Sequence, residues 1–135
     1  MLCIETKDLR KKYASTLAVD GVDLQIESGQ VFGFLGPNGA GKSTVIKLLT
    51  TLISPSNGKI SVLGIDSAKH PLEIRKKIGV VLQQPSYEPT LSVEKSLDKY
   101  GMMWNISKNE RKKRLEQLLK DFDLDLWNQS SFSDF

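Results

Sequence analysis

The chain has 135 residues, a formal net charge of +3, 39% hydrophobic and 26% charged residues. This length favours one compact domain over two, and the composition is that of a folded globular protein rather than a disordered or fibrous one. No run approaches the ~18 apolar residues of a membrane helix, the basic residues lie in short scattered clusters that do not predict a nucleic-acid surface, and the single cysteine, Cys3, excludes an internal disulfide.

The first predicted elements are strands. Residues 17–26 are predicted as two short strands around the turn dipeptide Asp20-Gly21, and apolar residues alternate over the second of them. Residues 31–35, Val-Phe-Gly-Phe-Leu, are apolar at nearly every position. Such a run is typical of a strand covered on both faces in a parallel sheet, so we predict a central strand there.

A glycine-rich loop and a helix follow that strand. The loop is residues 36–44, Gly-Pro-Asn-Gly-Ala-Gly-Lys-Ser-Thr. Apolar residues then recur at helical spacing until residues 54–58, Ser-Pro-Ser-Asn-Gly, end the helix. The predicted buried face consists of Val45, Leu48, Leu49, Leu52 and Ile53. Strand, loop and helix therefore occur in the order that a phosphate-binding loop requires.

The remaining elements alternate and then become helical. Residues 59–65 are predicted as a strand, 71–77 as a short helix and 78–82 as a second covered strand, which favours an α/β fold with a parallel component. Ser92 is predicted to cap one helix. Ser107 and Glu110 form a capping box for another, whose apolar side carries Leu115, Leu118, Leu119 and Phe122.

The glycine loop matches the phosphate-loop pattern of a Gly, four residues, and then Gly-Lys and Ser or Thr. Glycines allow successive backbone N–H groups to point into one anion-binding hollow, and the following helix directs its positive end there. Lys42 is predicted to reach the terminal phosphates, Ser43 to hold Mg²⁺ and Thr44 to contact an α-phosphate oxygen. The predicted nucleotide-binding residues of the loop are Gly36, Pro37, Asn38, Gly39, Ala40, Gly41, Lys42, Ser43 and Thr44.

The form of this loop is typical of the nucleotide-binding domain of ATP-binding-cassette (ABC) transporters. The chain resembles that family from about Lys7 to Trp127, with further similarity at residues 13–36, 54–66 and 78–97. Residues 48–58 and 100–119 are most similar to the drug- and lipid-exporter branch. The resemblance implies a phosphate-loop (P-loop) NTPase fold of the ABC type, with an antiparallel hairpin at the N-terminus. Residues 1–90 would form the nucleotide-binding core and 91–135 the start of a helical subdomain.

The resemblance also implies roles for residues outside the loop. Tyr13 falls where the family has an aromatic residue that stacks on adenine, although a half-buried tyrosine at a strand end is the alternative. Gln83 falls where the family's loop glutamine reaches Mg²⁺ and the attacking water, with Gln84 as the competing candidate. Asp66 follows an apolar strand and is expected to be a turn residue rather than a Mg²⁺ ligand. The implied cofactors are ATP and Mg²⁺.

The function implied is the energy-coupling subunit of an exporter. It would be cytoplasmic, peripheral on the cytoplasmic face of the membrane, and would work with a separate transmembrane permease subunit and a second ATP-binding domain, but with no nucleic acid. Downstream of Gln83 no apolar run ends in Asp-Glu, and residues 132–135 stand where the family's Ser-Gly-Gly signature would begin. We therefore expect a truncated domain that binds MgATP without hydrolysing it alone. The alternatives are a small-molecule kinase with residues 108–114 as a basic lid, and a non-catalytic nucleotide-binding stub.

Overall fold

The computed structural model describes residues 1–81, 88 and 90–124. The chain divides into two compact units, Met1–Val81 and Leu82–Phe135. Each unit is described below by itself.

The first unit is built on a four-stranded antiparallel sheet. Its strands are β1 (Leu2–Tyr13), β2 (Thr16–Glu27), β3 (Asn57–Val62) and β4 (Ile65–Asp66), in the order β2-β1-β3-β4. Two helices accompany the sheet, α1 (Lys42–Leu49) and α2 (Pro71–Arg75). The expected N-terminal antiparallel hairpin is therefore present as β1 and β2.

The hairpin turn is not where the turn dipeptide predicted it. The chain reverses at Ala14 and Ser15, between Tyr13 and Thr16, which pair with each other. Gly21, with φ +66°, lies inside β2 at a register shift in its pairing with β1. A glycine tolerates the positive φ that such a bulge requires, so the dipeptide marks a bulge and the prediction of two strands is wrong.

The predicted single strand at residues 59–65 is also wrong. Leu63 and Gly64 both have positive φ, +53° and +75°, the values that a two-residue hairpin turn of type I′ requires. The chain reverses there, and β4 pairs back on β3 through Val62 and Ile65.

The core of this unit lies between the sheet and its helices. Leu9, Leu48 and Ile74 are completely buried, and the same cluster contains Val19, Val45, Leu49, Ile60 and Val62. The predicted apolar face of α1 is confirmed at Val45, Leu48 and Leu49. The helix ends sooner than predicted, because its last residue is Leu49, and Leu52 is 54% exposed.

Neither predicted covered strand is found among residues 31–35 and 78–81. Val31 and Val81 are fully exposed, and Leu35 is 97% exposed. Only some residues of these runs pack inward, with Phe34 and Ile78 lying against the core cluster. A covered strand needs neighbouring strands to pair with and other elements on both of its faces. The described sheet consists of β1 to β4 alone and includes neither segment.

The described residues of the second unit, 88 and 90–124, form two capped helices, α3 (Val93–Met103) and α4 (Lys108–Asp121). Both predicted caps are confirmed: Ser92 Oγ accepts a hydrogen bond from Lys95 N–H at 3.3 Å, and Ser107 Oγ accepts one from Glu110 N–H at 3.4 Å. Leu119 is buried on the predicted apolar side of α4, whereas Phe122 is 68% exposed. None of the helices in the described part of the chain is long and apolar enough to cross a membrane.

Candidate phosphate-binding site

The glycine loop ends where α1 begins, and Gly41 is the residue that makes this junction. Gly41 caps the helix with φ +83°, a conformation that costs residues with a Cβ about 1–2 kcal/mol. A Cβ at this position would lie 2.3 Å from the carbonyl oxygen of Ala18 in β2. Because only glycine permits this approach, the end of the loop is seated directly on the hairpin.

The first turn of α1 leaves its backbone donors available. The first intrahelical hydrogen bond runs from Val45 N–H to Gly41 O at 2.9 Å, so the N–H groups of Lys42, Ser43 and Thr44 have no intrahelical partner. No side chain caps this end, and its first turn contains no acidic residue. The positive end of the helix dipole is therefore uncompensated there, and Ser43 is exposed beside it.

Lys42 closes over the beginning of the loop. Its Nζ donates to the carbonyl oxygens of Gly36 and Pro37, each at 2.6 Å. Pro37 O also accepts from Ala40 N–H at 3.3 Å, which forms a turn within the loop. Both acceptors of Lys42 are neutral, and a phosphate oxygen accepts a stronger, charge-assisted hydrogen bond. The arrangement can thus exchange two internal partners for an anion.

The loop residues fit a phosphate group by these criteria. Gly39 has φ +84°, and no heavy atom of the described residues lies within 4 Å of the place where a Cβ would stand, so the described part of the chain leaves the middle of the loop open. Free N–H groups, a helix N-terminus and one ammonium group are the donors that bind phosphates in proteins.

Tyr13 lies on the hairpin that supports the loop. It ends β1, pairs with Thr16 of β2 and is 45% exposed. The Nζ of Lys11 lies 5.2 Å from the centroid of its ring. Neither this contact nor that between Gly41 and Ala18 was predicted from the sequence; for Lys11 and Tyr13 the available signal was that residues two apart on a strand share a face.

The other residues considered as Mg²⁺ ligands lie outside the glycine loop. Gln83 and Gln84 lie outside the described residues. Asp66 was expected to be a turn residue, but it ends β4, where it pairs with Ser61; its Oδ1 accepts from Ala68 N–H at 2.8 Å in the turn that follows. Across residues 1–81, 88 and 90–124, no group of three or more His, Cys, Asp or Glu side chains is arranged to hold a metal ion.

Comparison with known proteins identifies the family. The family model described as "ABC transporter" matches residues 19–134. The chain belongs to the ABC transporter family. This membership confirms the fold class that the resemblance implied.

Individual ABC relatives agree with this membership. The daunorubicin/doxorubicin resistance ATP-binding protein DrrA of Streptomyces peucetius is 40% identical over 121 residues, which are 90% of this chain and 37% of that protein. The daunorubicin resistance ATP-binding protein DrrA2 of Streptomyces coeruleorubidus is 35% identical over 121 residues, 90% of this chain and 38% of that protein. The chain thus spans less than two fifths of the length of these relatives.

A solved structure shows the same fold. It is a dimeric ATP-binding cassette in a post-hydrolysis state, bound to ADP and Pi. The TM-score is 0.83 with 26% sequence identity, and the match covers 98% of this chain and 62% of that one.

Proposed function

We propose that this chain is the ATP-binding part of an exporter-type ABC transporter and that residues 36–44 hold the triphosphate of MgATP. The observation that carries the proposal is the junction of loop and helix: the first N–H groups of α1 have no intrahelical partner, and the Lys42 ammonium lies on the carbonyl oxygens of the loop, in a chain that the ABC family model matches over residues 19–134. A triphosphate is the ligand whose charge and acceptor oxygens suit this set of donors best.

The loop residues would divide the work of binding. Lys42 would exchange the carbonyl oxygens of Gly36 and Pro37 for terminal phosphate oxygens. Ser43 would hold Mg²⁺ together with Gln83, or with Gln84. The ion would supply positive charge between phosphate oxygens, the chemistry that Mg²⁺ usually provides in nucleotide sites. Thr44 would contact an α-phosphate oxygen, and the exposed ring of Tyr13 would stack on adenine.

The wider assembly is proposed from the relatives. The two similar proteins named above are ATP-binding proteins of drug resistance, and the solved neighbour is a dimer. We therefore propose a separate transmembrane permease subunit, a second ATP-binding domain and a place on the cytoplasmic face of the membrane. Residues 1–90 would serve as the nucleotide-binding core and 91–135 as the start of the helical subdomain.

The chain by itself should bind nucleotide without turning it over. Hydrolysis needs a carboxylate that holds the metal after a buried strand and a neighbouring group that orients water. Downstream of Gln83, the printed sequence contains no apolar run that ends in Asp-Glu.

Calorimetric titration of the chain with MgATP and with magnesium tripolyphosphate tests the proposal. We expect both ligands to bind, and Lys42→Ala to weaken both by roughly 10- to 100-fold, because a hydrogen bond to a charged group contributes about 1.5–3 kcal/mol. Lys47→Ala is the matched control, since Lys47 is an exposed lysine in the last turn of the same helix, and it should leave both affinities unchanged.

Two results would contradict the proposal. Wild-type chain that binds neither ligand, or Lys42→Ala that binds as well as wild type, would refute the phosphate loop as the site. In the same samples we expect no steady-state phosphate release above that of Lys42→Ala; release that depends on Lys42 would refute binding without turnover.

A further inference from the structure

Lys11 makes two contacts that converge beside the candidate base-stacking residue. Lys11 and Tyr13 lie two positions apart on β1 and so share a face of the strand. The Lys11 ammonium stands 5.2 Å from the centroid of the Tyr13 ring, within the range of ~6 Å over which a cation is attracted to an aromatic face. The same Nζ donates to the carbonyl oxygen of Ser54 at 2.7 Å.

The hydrogen bond to Ser54 holds the Lys11 ammonium in place beside the Tyr13 ring. A lysine on an open strand end has many rotamers, but a hydrogen bond to a backbone carbonyl restricts the position of its ammonium. Ser54 belongs to a segment that is itself tied to the end of β1: Ser56 N–H donates to Arg10 O at 2.8 Å, and Ser56 Oγ accepts from Lys12 N–H at 3.0 Å. The ammonium is thus held between the strand end and this segment.

The two faces of the Tyr13 ring therefore have different surroundings. One face is directed at the Lys11 ammonium, and Tyr13 as a whole is still 45% exposed. A flat ring that is held on one side offers the other side as a ready surface for a purine, because less side-chain freedom has to be lost on binding.

We propose that Lys11 is a positioning residue that holds the Tyr13 ring between its own ammonium and the base of the bound nucleotide. This inference rests on the proposed function, because it requires Tyr13 to meet the base. Lys11 would act only through the ring, so it should contribute to recognition of the base and nothing to recognition of the phosphates.

The test compares two ligands and three variants of the chain. Lys11→Met removes the ammonium and keeps the alkyl chain, Lys12→Met removes the same charge from the next position, and Lys11→Arg keeps a cation. Calorimetry with MgATP measures the base and the phosphates together, and calorimetry with magnesium tripolyphosphate measures the phosphates alone. We expect Lys11→Met to weaken MgATP by about two- to fivefold more than tripolyphosphate, the effect of one exposed cation–ring contact.

The two other variants separate this role from general electrostatics. Lys12→Met should change both affinities by the same factor, since it alters only the net charge near the site. Lys11→Arg should restore the wild-type ratio of the two affinities. Equal effects of Lys11→Met and Lys12→Met on that ratio would overturn the role of Lys11. If tripolyphosphate still bound in that case, the proposal that residues 36–44 bind phosphates would stand.

A double-variant comparison tests whether Lys11 acts through the ring. In a Tyr13→Leu chain, adding Lys11→Met should have no further effect on the ratio. An undiminished effect in that background would show Lys11 acting on the ligand directly and would overturn the positioning role. Wild-type chain that does not bind tripolyphosphate at all would instead refute the proposed function, and the role of Lys11 with it.

Discussion

Replacing Gly41 by alanine separates two reasons why this position is glycine. Gly41 has φ +83°, and a Cβ there would stand 2.3 Å from the Ala18 carbonyl oxygen. Gly39 has nearly the same φ, +84°, but within the described parts of the chain no heavy atom lies within 4 Å of its Cβ position. Gly39→Ala therefore measures the backbone strain alone, and Gly41→Ala measures the strain together with the contact between loop and hairpin.

The two free-energy losses can be worked from this geometry. A residue with a Cβ in the left-handed region costs roughly 1–2 kcal/mol, which both variants share. A carbon–oxygen approach of 2.3 Å is about 1 Å shorter than the closest ordinary contact of ~3.3 Å, and the obstacle is backbone rather than a movable side chain. Forcing extra atoms into a packed place typically costs a further 1–3 kcal/mol, so we expect Gly41→Ala to lose about 2–5 kcal/mol in all.

Urea unfolding followed by far-ultraviolet circular dichroism gives the free energy of unfolding of each variant. Hydrogen exchange over residues 17–19 reports whether the added methyl group pushes the loop away from β2, and exchange there should accelerate only in Gly41→Ala. Equal destabilisation of the two variants, with unchanged exchange in β2, would refute the argument that the seat on Ala18 holds the loop.

Two further predictions concern other parts of the molecule. The hydrogen bond from Arg114 lowers the pKa of Glu110 below its ordinary value of 4.5; the resulting stabilisation of α4 is complete above that value and is lost as the pH falls through the lowered one. In a circular dichroism titration, Glu110→Gln should therefore lack part of the helix loss that wild type shows below about pH 4.5, and identical curves would contradict this. Leu35 is 97% exposed, and Val31 is fully exposed as well. Because exposed apolar side chains promote association, Leu35→Lys should reduce any concentration-dependent self-association seen in sedimentation velocity; unchanged association would rule out Leu35 as its cause.

The features that the sequence predicted well depend on residues a few positions apart. The caps at Ser92 and Ser107, the buried face of α1 and the order of glycine loop and helix all follow from the identity of near neighbours. An N-cap hydroxyl needs only a backbone N–H three residues later, and the uncapped start of α1 follows directly from the glycines before it. Such local causes act in the same way whatever the rest of the chain does.

Two dipeptides that end in glycine show why turn positions could not be predicted from neighbouring residues alone. Asp20-Gly21 is the stronger turn signal by composition, yet it lies inside β2, whereas Leu63-Gly64 forms a two-residue hairpin turn. The difference lies in the partner strand: β1 continues past the position opposite Gly21 and keeps the chain extended. β3, in contrast, is followed at once by the short β4, which folds back on it. Pairing over a long sequence separation thus decided what each glycine does.

The same limit explains the error at residues 31–35. An apolar run reveals that its side chains favour burial, but not which element would bury them; here Phe34 packs on the core while Val31 and Leu35 remain exposed. The same distinction between near neighbours in sequence and distant segments applies to the candidate site. The donors of the proposed site, one lysine and the N–H groups at the start of α1, are close neighbours in sequence, whereas the Ala18 seat of Gly41 and the Ser54 partner of Lys11 arise only when distant segments meet. Nine consecutive residues are therefore enough to predict a phosphate loop, but the contact on which its last glycine is seated is made by the hairpin behind it.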